Sequence, residues 1–184
     1  MIKLLINTLL VTIALFVGVA HAQATPEQAA VTYFEAIKND GVEVAPRFIH
    51  PKELERFKSM LMPLFMEADT AGNTSPVFFG KKMTSAEISA MPAEDFMAGF
   101  LSVVGTQMKG AKINLGETAV IGTVKEGDIV HVLTRSSAGN DDFKLTKVEV
   151  ISMILDGDAW KLMLSGEMEG LAQALKSQFQ KDSE

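Results

Sequence analysis

Few side chains in this 184-residue sequence could do chemistry, and they are scattered. There are three histidines, His21, His50 and His131, and no cysteine. The absence of thiols removes disulfides, thiolate metal sites and cysteine nucleophiles together. It also removes lipid attachment at a processed N-terminal cysteine. His50 precedes Pro51, close to Arg47 and Phe48. An imidazole titrates near neutrality and suits acid–base work. Its plainer role is that of a turn or helix-entry residue. His131 falls in an alternating run, where a surface or interface role fits better than catalysis. Tyr33 is the single tyrosine and reads as a pocket-edge or core residue. Met60, Met62 and Met66 lie close together among 11 methionines. Thioethers suit Cu(I), but Met60 and Met62 do not share a helix face and Pro63 intervenes, so flexible core or pocket lining is the preferred reading. The acidic turns Asp141-Asp142 and Asp156-Gly157-Asp158 are short of the oxygen ligands that Ca²⁺ needs. No Gly-x-Ser-x-Gly, Gly-rich phosphate loop or paired-histidine metal motif occurs. Asn73-Thr74-Ser75 fits the glycosylation acceptor, which matters only in a eukaryotic secretory route. No metal and no cofactor is expected.

The elements that must position these groups follow from composition and pattern. With 47% hydrophobic residues the chain can build one core. Lys+Arg number 17 against 23 Asp+Glu, a formal charge of −6, and no basic block occurs. That excludes an electrostatic nucleic-acid footprint. Met1-Ile2-Lys3 is a short basic start, residues 4–19 are mostly apolar, and Ala20-His21-Ala22 supplies small residues where a signal peptidase reads. The pattern is that of a secretory signal peptide over residues 1–22, cut after Ala22. The product is expected in the periplasm or outside the cell, with no stable membrane span. Without cysteine, such a domain relies on its core rather than on cross-links.

Thr25-Pro26-Glu27-Gln28 predicts a capped helix start. Ala30, Phe34 and Ile37 form its apolar face, and Gly41 ends it in a left-handed cap. A second helix is predicted from Pro51, with Leu54, Phe57, Met60/Leu61 and Leu64 inward, and Pro63 should kink or end it. Residues 71–76 read as a loop and Val77-Phe78-Phe79 as a short strand. Thr84-Ser85-Ala86-Glu87 is a second capping box. Pro92 opens a further helix carrying Phe96, Phe100, Leu101 and Val104. From Lys112 the period becomes two. Strands are predicted over residues 113–124, 129–135, 143–155 and 160–165, with hairpin signals at Lys125-Glu126-Gly127-Asp128 and Asp156-Gly157-Asp158. Met168, Leu171, Leu175 and Phe179 return to helical spacing. Helices followed by strands predict an α+β class, with helices on one face of an antiparallel sheet. The domain is expected over 23–166, and an amphipathic C-terminal helix over 167–184.

Alternation predicts that Val130/Val132, Val148/Val150/Ile154 and Trp160/Leu162/Leu164 share the core face. The opposite face then carries Ile129, His131, Leu133, Glu149, Ile151, Met153, Lys161 and Met163. It is more apolar than a solvated face usually is. A second subunit or the C-terminal helix would cover it.

Two motifs resemble the ketosteroid-isomerase-like (nuclear-transport-factor-like) superfamily. Residues 29–41, AAVTYFEAIKNDG, resemble the opening helix and turn of small exported members. Residues 154–162, ILDGDAWKL, resemble that superfamily's closing strand pair. The resemblance implies a cone-shaped α+β barrel, a sheet curled about the first helix, a pocket at the open end, and a homodimer through the outer sheet face. In ketosteroid isomerases a tyrosine from that helix helps form an oxyanion hole, and an Asp is the base. The base position, about two dozen residues on, falls at Phe57, and the expected inward strand positions hold no acid. Dehydratase-type members use a His–Asp pair, for which His50 is the one candidate here. The leading expectation is therefore an exported, non-catalytic domain binding a small apolar or amphipathic ligand, or a protein partner. Its pocket would draw on Tyr33, Phe48, His50, Phe57, Met60, Phe100 and Trp160. The alternatives are an isomerase- or dehydratase-type enzyme using His50 and Tyr33, and a structural dimer whose cone is filled.

Overall fold

A computed structural model describes residues 24–70 and 77–170 of the chain. The expected leader and the loop at 71–76 lie outside the described residues, as does the expected C-terminal helix beyond its start. Residues 166–170 are helical.

Helix α1 (Pro26–Asp40) begins at the predicted capping box. The Gln28 N–H donates to Thr25 Oγ1 at 3.3 Å, and the Thr25 N–H to Gln28 Oε1 at 3.0 Å. It ends at Gly41, whose N–H donates to the Ile37 carbonyl at 3.1 Å. Gly41 has φ 99 but an extended ψ of 162, not the left-handed cap the sequence predicts. A side chain would be strained there, and the extended ψ feeds the chain into a 3₁₀ segment, Val42–Phe48. Helix α2 (Pro51–Thr70) starts as predicted but runs through Pro63. Pro63 costs one helical hydrogen bond. Both Pro63 and Ser59 are exposed, so the freed Ser59 carbonyl meets water, while buried Leu61 and Leu64 hold the helix on its other side.

A short hairpin follows, β1 (Val77–Phe78) and β2 (Lys81–Lys82). Then come α3 (Ser85–Ala90), with the predicted Thr84/Glu87 capping box, and α4 (Ala93–Gly110). Lys58 of α2 donates to the Ser89 carbonyl at 2.7 Å and to that of Met91, tying down the end of α3. These helices enclose one core, in which Leu54, Phe57, Leu61 and Leu64 meet Phe78, Ile88, Phe96 and Met97.

The remaining strands are β3 (Asn114–Glu126), β4 (Ile129–Gly139), β5 (Lys144–Asp156) and β6 (Ala159–Leu162). They form one antiparallel sheet in chain order. Two-residue turns join Glu126 to Ile129 and Asp156 to Ala159. In each the first residue, Gly127 or Gly157, has φ near +60°, the type II′ pattern that hairpin twist favours. The chain is α+β, with helices and a curved four-stranded antiparallel sheet that does not close into a barrel.

The predicted faces of β5 are reversed. Val130 stands opposite Met153, Val132 opposite Ile151, and Thr134 opposite Glu149. Residues directly opposite share a face. The inner face therefore holds Glu149, Ile151 and Met153, with Leu162 opposite Met153. Val148 and Val150 lie on the outer face, 56% and 53% exposed. Both faces of β5 carry apolar residues, Val148, Val150 and Ile154 on one and Leu145, Ile151 and Met153 on the other, so alternation alone does not fix the parity.

Candidate functional site

Helix α1 lies on the inner face of the sheet. Ala30 is fully buried against Val130, Val132 and Met153. Its small side chain lets the helix seat closely there. Further along α1, Tyr33, Phe34 and Ile37 project between the helix and the far half of the β4–β5 hairpin. Two adjoining hollows open at this place. The larger, about 530 Å³, lies between Tyr33, Phe34, Ile49, residues 147–152 of β5, Leu162 at the end of β6 and the segment 163–168 that follows it. The smaller, about 230 Å³, is walled by Phe34, Ile37, Leu115, Ala138 and Leu145. Both are bounded by Tyr33, Phe34, Lys147 and Glu149.

The polar groups gather at the rim. Lys147 Nζ donates to the Glu167 carboxylate at 2.6 and 2.7 Å and lies 3.4 Å from Glu149. Ser136 Oγ donates to Glu149 Oε1 at 3.3 Å. The Glu167 hydrogen bonds, and after them the Glu149 charge, hold the Lys147 ammonium above its ordinary pKa. Tyr33 meets Phe34 and Phe48 edge-on, at ring separations of 4.9 and 5.7 Å. Burial, with a further contribution from the Glu149 charge, pushes its hydroxyl up to about 12. Tyr33 is therefore a neutral donor at any physiological pH. Its hydroxyl has no hydrogen-bond partner among the described residues.

The seven predicted site residues do not converge. Tyr33, Phe48 and Trp160 pack together where α1 meets the sheet. Of these only Tyr33 borders the larger hollow. His50 stands at the entry to α2, where its Nδ1 accepts the Lys52 N–H at 3.2 Å and its carbonyl accepts from Glu53 and Leu54. Phe57, Met60 and Phe100 belong to the helical core, with Phe57 5.4 Å from Phe100. Met62 packs there too, and Met66 is largely exposed. His131 lies on the outer face, its Nδ1 2.9 Å from Ser152 Oγ and its Nε2 3.1 Å from Glu126.

Sequence reasoning did not reach Lys147, Glu149 and Glu167. Alternation places Glu149 on the outer side of β5, whereas it lies on the inner one. A two-residue reading of the Gly157-Asp158 turn would have placed Met153 opposite Leu162 and turned Lys147 and Glu149 inward. Among the described residues no three His, Asp or Glu side chains are arranged to hold a metal ion, and no helix is long and apolar enough to cross a membrane. The chain matches no known protein family, no curated protein and no solved structure.

Proposed function

We propose that this chain is an exported, non-catalytic member of the ketosteroid-isomerase-like superfamily that binds a small amphipathic molecule between α1 and the inner face of the sheet. The cleft carries the proposal. Its walls are apolar at Phe34, Ile49, Ile151 and Leu162, and its charged groups, Lys147, Glu149 and Glu167, are drawn together by ion pairs. Concave, mostly apolar sites with a few convergent polar groups are the usual form of small-molecule sites. The volume favours binding over a filled, purely structural cone. Membership is supported by the element order and by α1 lying on the inner face.

The enzyme reading has weaker support. General acid–base catalysis needs a group that can exchange a proton near neutrality, within reach of the substrate. Tyr33 keeps its proton up to about 12. Glu149 is engaged by Ser136 and Lys147. His50 uses one ring nitrogen to receive a backbone N–H at a helix entry. Native mass spectrometry of the protein purified from its own host, without refolding, tests the proposal. A mass in excess of residues 23–184 is expected, and the same spectrum checks cleavage after Ala22. A bare mass, together with no uptake of an apolar fluorescent probe, would refute the binding reading.

A second reading concerns the outer face, where Val124, Val148 and Val150 surround Leu133. Strand β4 has 11 residues. At ~3.3 Å per residue and ~4.8 Å between strands, the face measures roughly 36 by 19 Å. That approaches the ~800 Å² per partner of a standard interface. Strand β3 pairs with β4 through two register shifts, at Leu115/Thr118 and Val120/Gly122. Such bulges blunt an edge, so a second copy of this chain is proposed to stack on the face rather than extend the sheet. Light scattering should give a dimer mass, and Val150→Asp a monomer. Monomer mass alone at high concentration would refute it.

A further inference from the structure

Resting on the cleft-binding reading above, we infer that the ligand carries a carboxylate and that Glu167 holds its place on Lys147. Both Glu167 oxygens meet the Lys147 ammonium, at 2.6 and 2.7 Å. This is a two-oxygen acceptor site at the rim of an apolar hollow. Glu167 comes from the segment just past the sheet, and its side chain is 72% exposed. An ion pair with a partner this exposed is weak and cheap to exchange.

Charge bookkeeping selects the sign of the ligand. When Glu167 swings out and a ligand carboxylate enters, one anion replaces another. Glu149 stays 3.4 Å from Lys147, fixed by Ser136, so the charge of the cluster is unchanged. A cationic head would instead have to enter beside the Lys147 ammonium. The second donor points the same way. Tyr33 borders both hollows, and its hydroxyl keeps its proton and has no partner among the described residues. A carboxylate between Lys147 and Tyr33 would take one charge-assisted hydrogen bond and one neutral one. Its apolar body would lie along Phe34, Ile151 and Leu162. The class is an amphipathic monocarboxylate.

Calorimetry on the full processed chain decides this, with three probes sharing one twelve-carbon tail: dodecanoate, dodecanol and dodecylammonium, each kept below micelle formation. Dodecanoate is expected to bind about tenfold more tightly than dodecanol, the worth of one charge-assisted hydrogen bond. Lys147→Gln should bring dodecanoate down to the dodecanol level and leave dodecanol unchanged. Glu167→Gln should strengthen dodecanoate roughly two- to fivefold, because it removes a competitor of exposed-ion-pair strength. Should Lys147→Gln unfold, Glu167→Gln decides alone. An unchanged dodecanoate affinity in Glu167→Gln overturns the inference. So does equal binding of dodecanoate and dodecanol, or tightest binding of dodecylammonium. In those cases the cleft-binding reading survives. Binding of none of the three overturns both.

Discussion

Two substitutions three positions apart in β5, Val150→Ala and Met153→Ala, fall on opposite faces of the strand and test the arrangement on which the site depends. Met153 is fully buried, opposite Val130 and Leu162, and packed with Ala30 beneath α1. Truncating a buried methionine removes its transfer free energy and leaves a cavity, at a cost of about 2–5 kcal/mol. Val150 is 53% exposed on the outer face, so its truncation belongs with surface changes of about 0.5 kcal/mol or less. With a urea m-value of ~1–3 kcal/mol/M, Met153→Ala should lower the unfolding midpoint by about 1 M or more. Val150→Ala should barely move it. The assay is urea unfolding in dilute solution, followed by fluorescence of the single tryptophan, Trp160. The reverse order, with Val150→Ala the costlier change, would refute the reasoning. It would turn Lys147 and Glu149 outward with the rest of their parity, and the cleft would lose its polar rim.

Tyr33 offers a pH test with its own spectroscopic signal, because it is the only tyrosine. Its folded pKa of about 12 lies above the ordinary value of 10.0. The unfolded chain therefore loses this proton first, and stability present below pH 10 is lost as pH rises toward 12. The loss is on the order of 2–3 kcal/mol at most. Phenolate absorbance should show a midpoint near 12 in the native protein and near 10 in denaturant, and Tyr33→Phe should flatten this part of the pH–stability curve. A native midpoint near 10 would remove Tyr33 from its buried place beside Glu149. Two glycines of α4 should respond with opposite signs. A Cβ at Gly99 would strike the Phe78 ring and come within 3.0 Å of Phe79, whereas nothing lies within 4 Å of one at Gly110. Overpacking costs about 1–3 kcal/mol and exceeds the helical gain of about 1 kcal/mol. Thermal melts should show Gly99→Ala less stable and Gly110→Ala at least as stable as the parent; the same sign at both would contradict the packing of β1 on α4. Lys58→Met should cost about 1–2 kcal/mol by leaving the Ser89 and Met91 carbonyls short of a donor. An unchanged urea midpoint would show that water serves those carbonyls equally well.

Local signals were the legible ones. The Thr25/Gln28 and Thr84/Glu87 boxes, the Pro51 start and the glycine turns each act within a few residues, and each forms as its spacing predicts. Pro63 failed as a helix stop because tertiary packing on Leu61 and Leu64 outweighs one lost hydrogen bond. The parity of β5 was not legible from alternation, since Val148 and Val150 are as apolar as Ile151 and Met153. It needed the turn length, which fixes register across the hairpin. The site was less legible still. Phe57, Met60 and Phe100 look like pocket lining by type, but their helices bury them against each other. Nothing in the sequence separates an aromatic core from an aromatic pocket. The pairing of Lys147 with Glu167 spans the turn from β5 into β6 and the segment beyond it, a distance in sequence that no periodicity reports.

The cleft exists because α1 covers only part of the inner face. Along β4 and β5 that face begins apolar and covered, with Val130, Val132, Ile151 and Met153 under Ala30. It turns polar at Thr134, Ser136, Lys147 and Glu149. It ends apolar and open at Leu145, opposite Ala138. A face meant only for packing would stay apolar until it reached solvent, because buried polar groups cost stability unless each finds a partner. Here the polar band lies between two apolar stretches. Its members satisfy one another, Ser136 on Glu149 and Glu149 on Lys147, and Lys147 is completed by a carboxylate from a segment outside the sheet. Beside them, the Tyr33 hydroxyl has no hydrogen-bond partner among the described residues. An amphipathic monocarboxylate would meet that donor, replace the borrowed carboxylate and cover the open apolar wall at once. Single changes at Lys147, Glu167 and Tyr33 should therefore be coupled in their effects on dodecanoate binding and uncoupled for dodecanol.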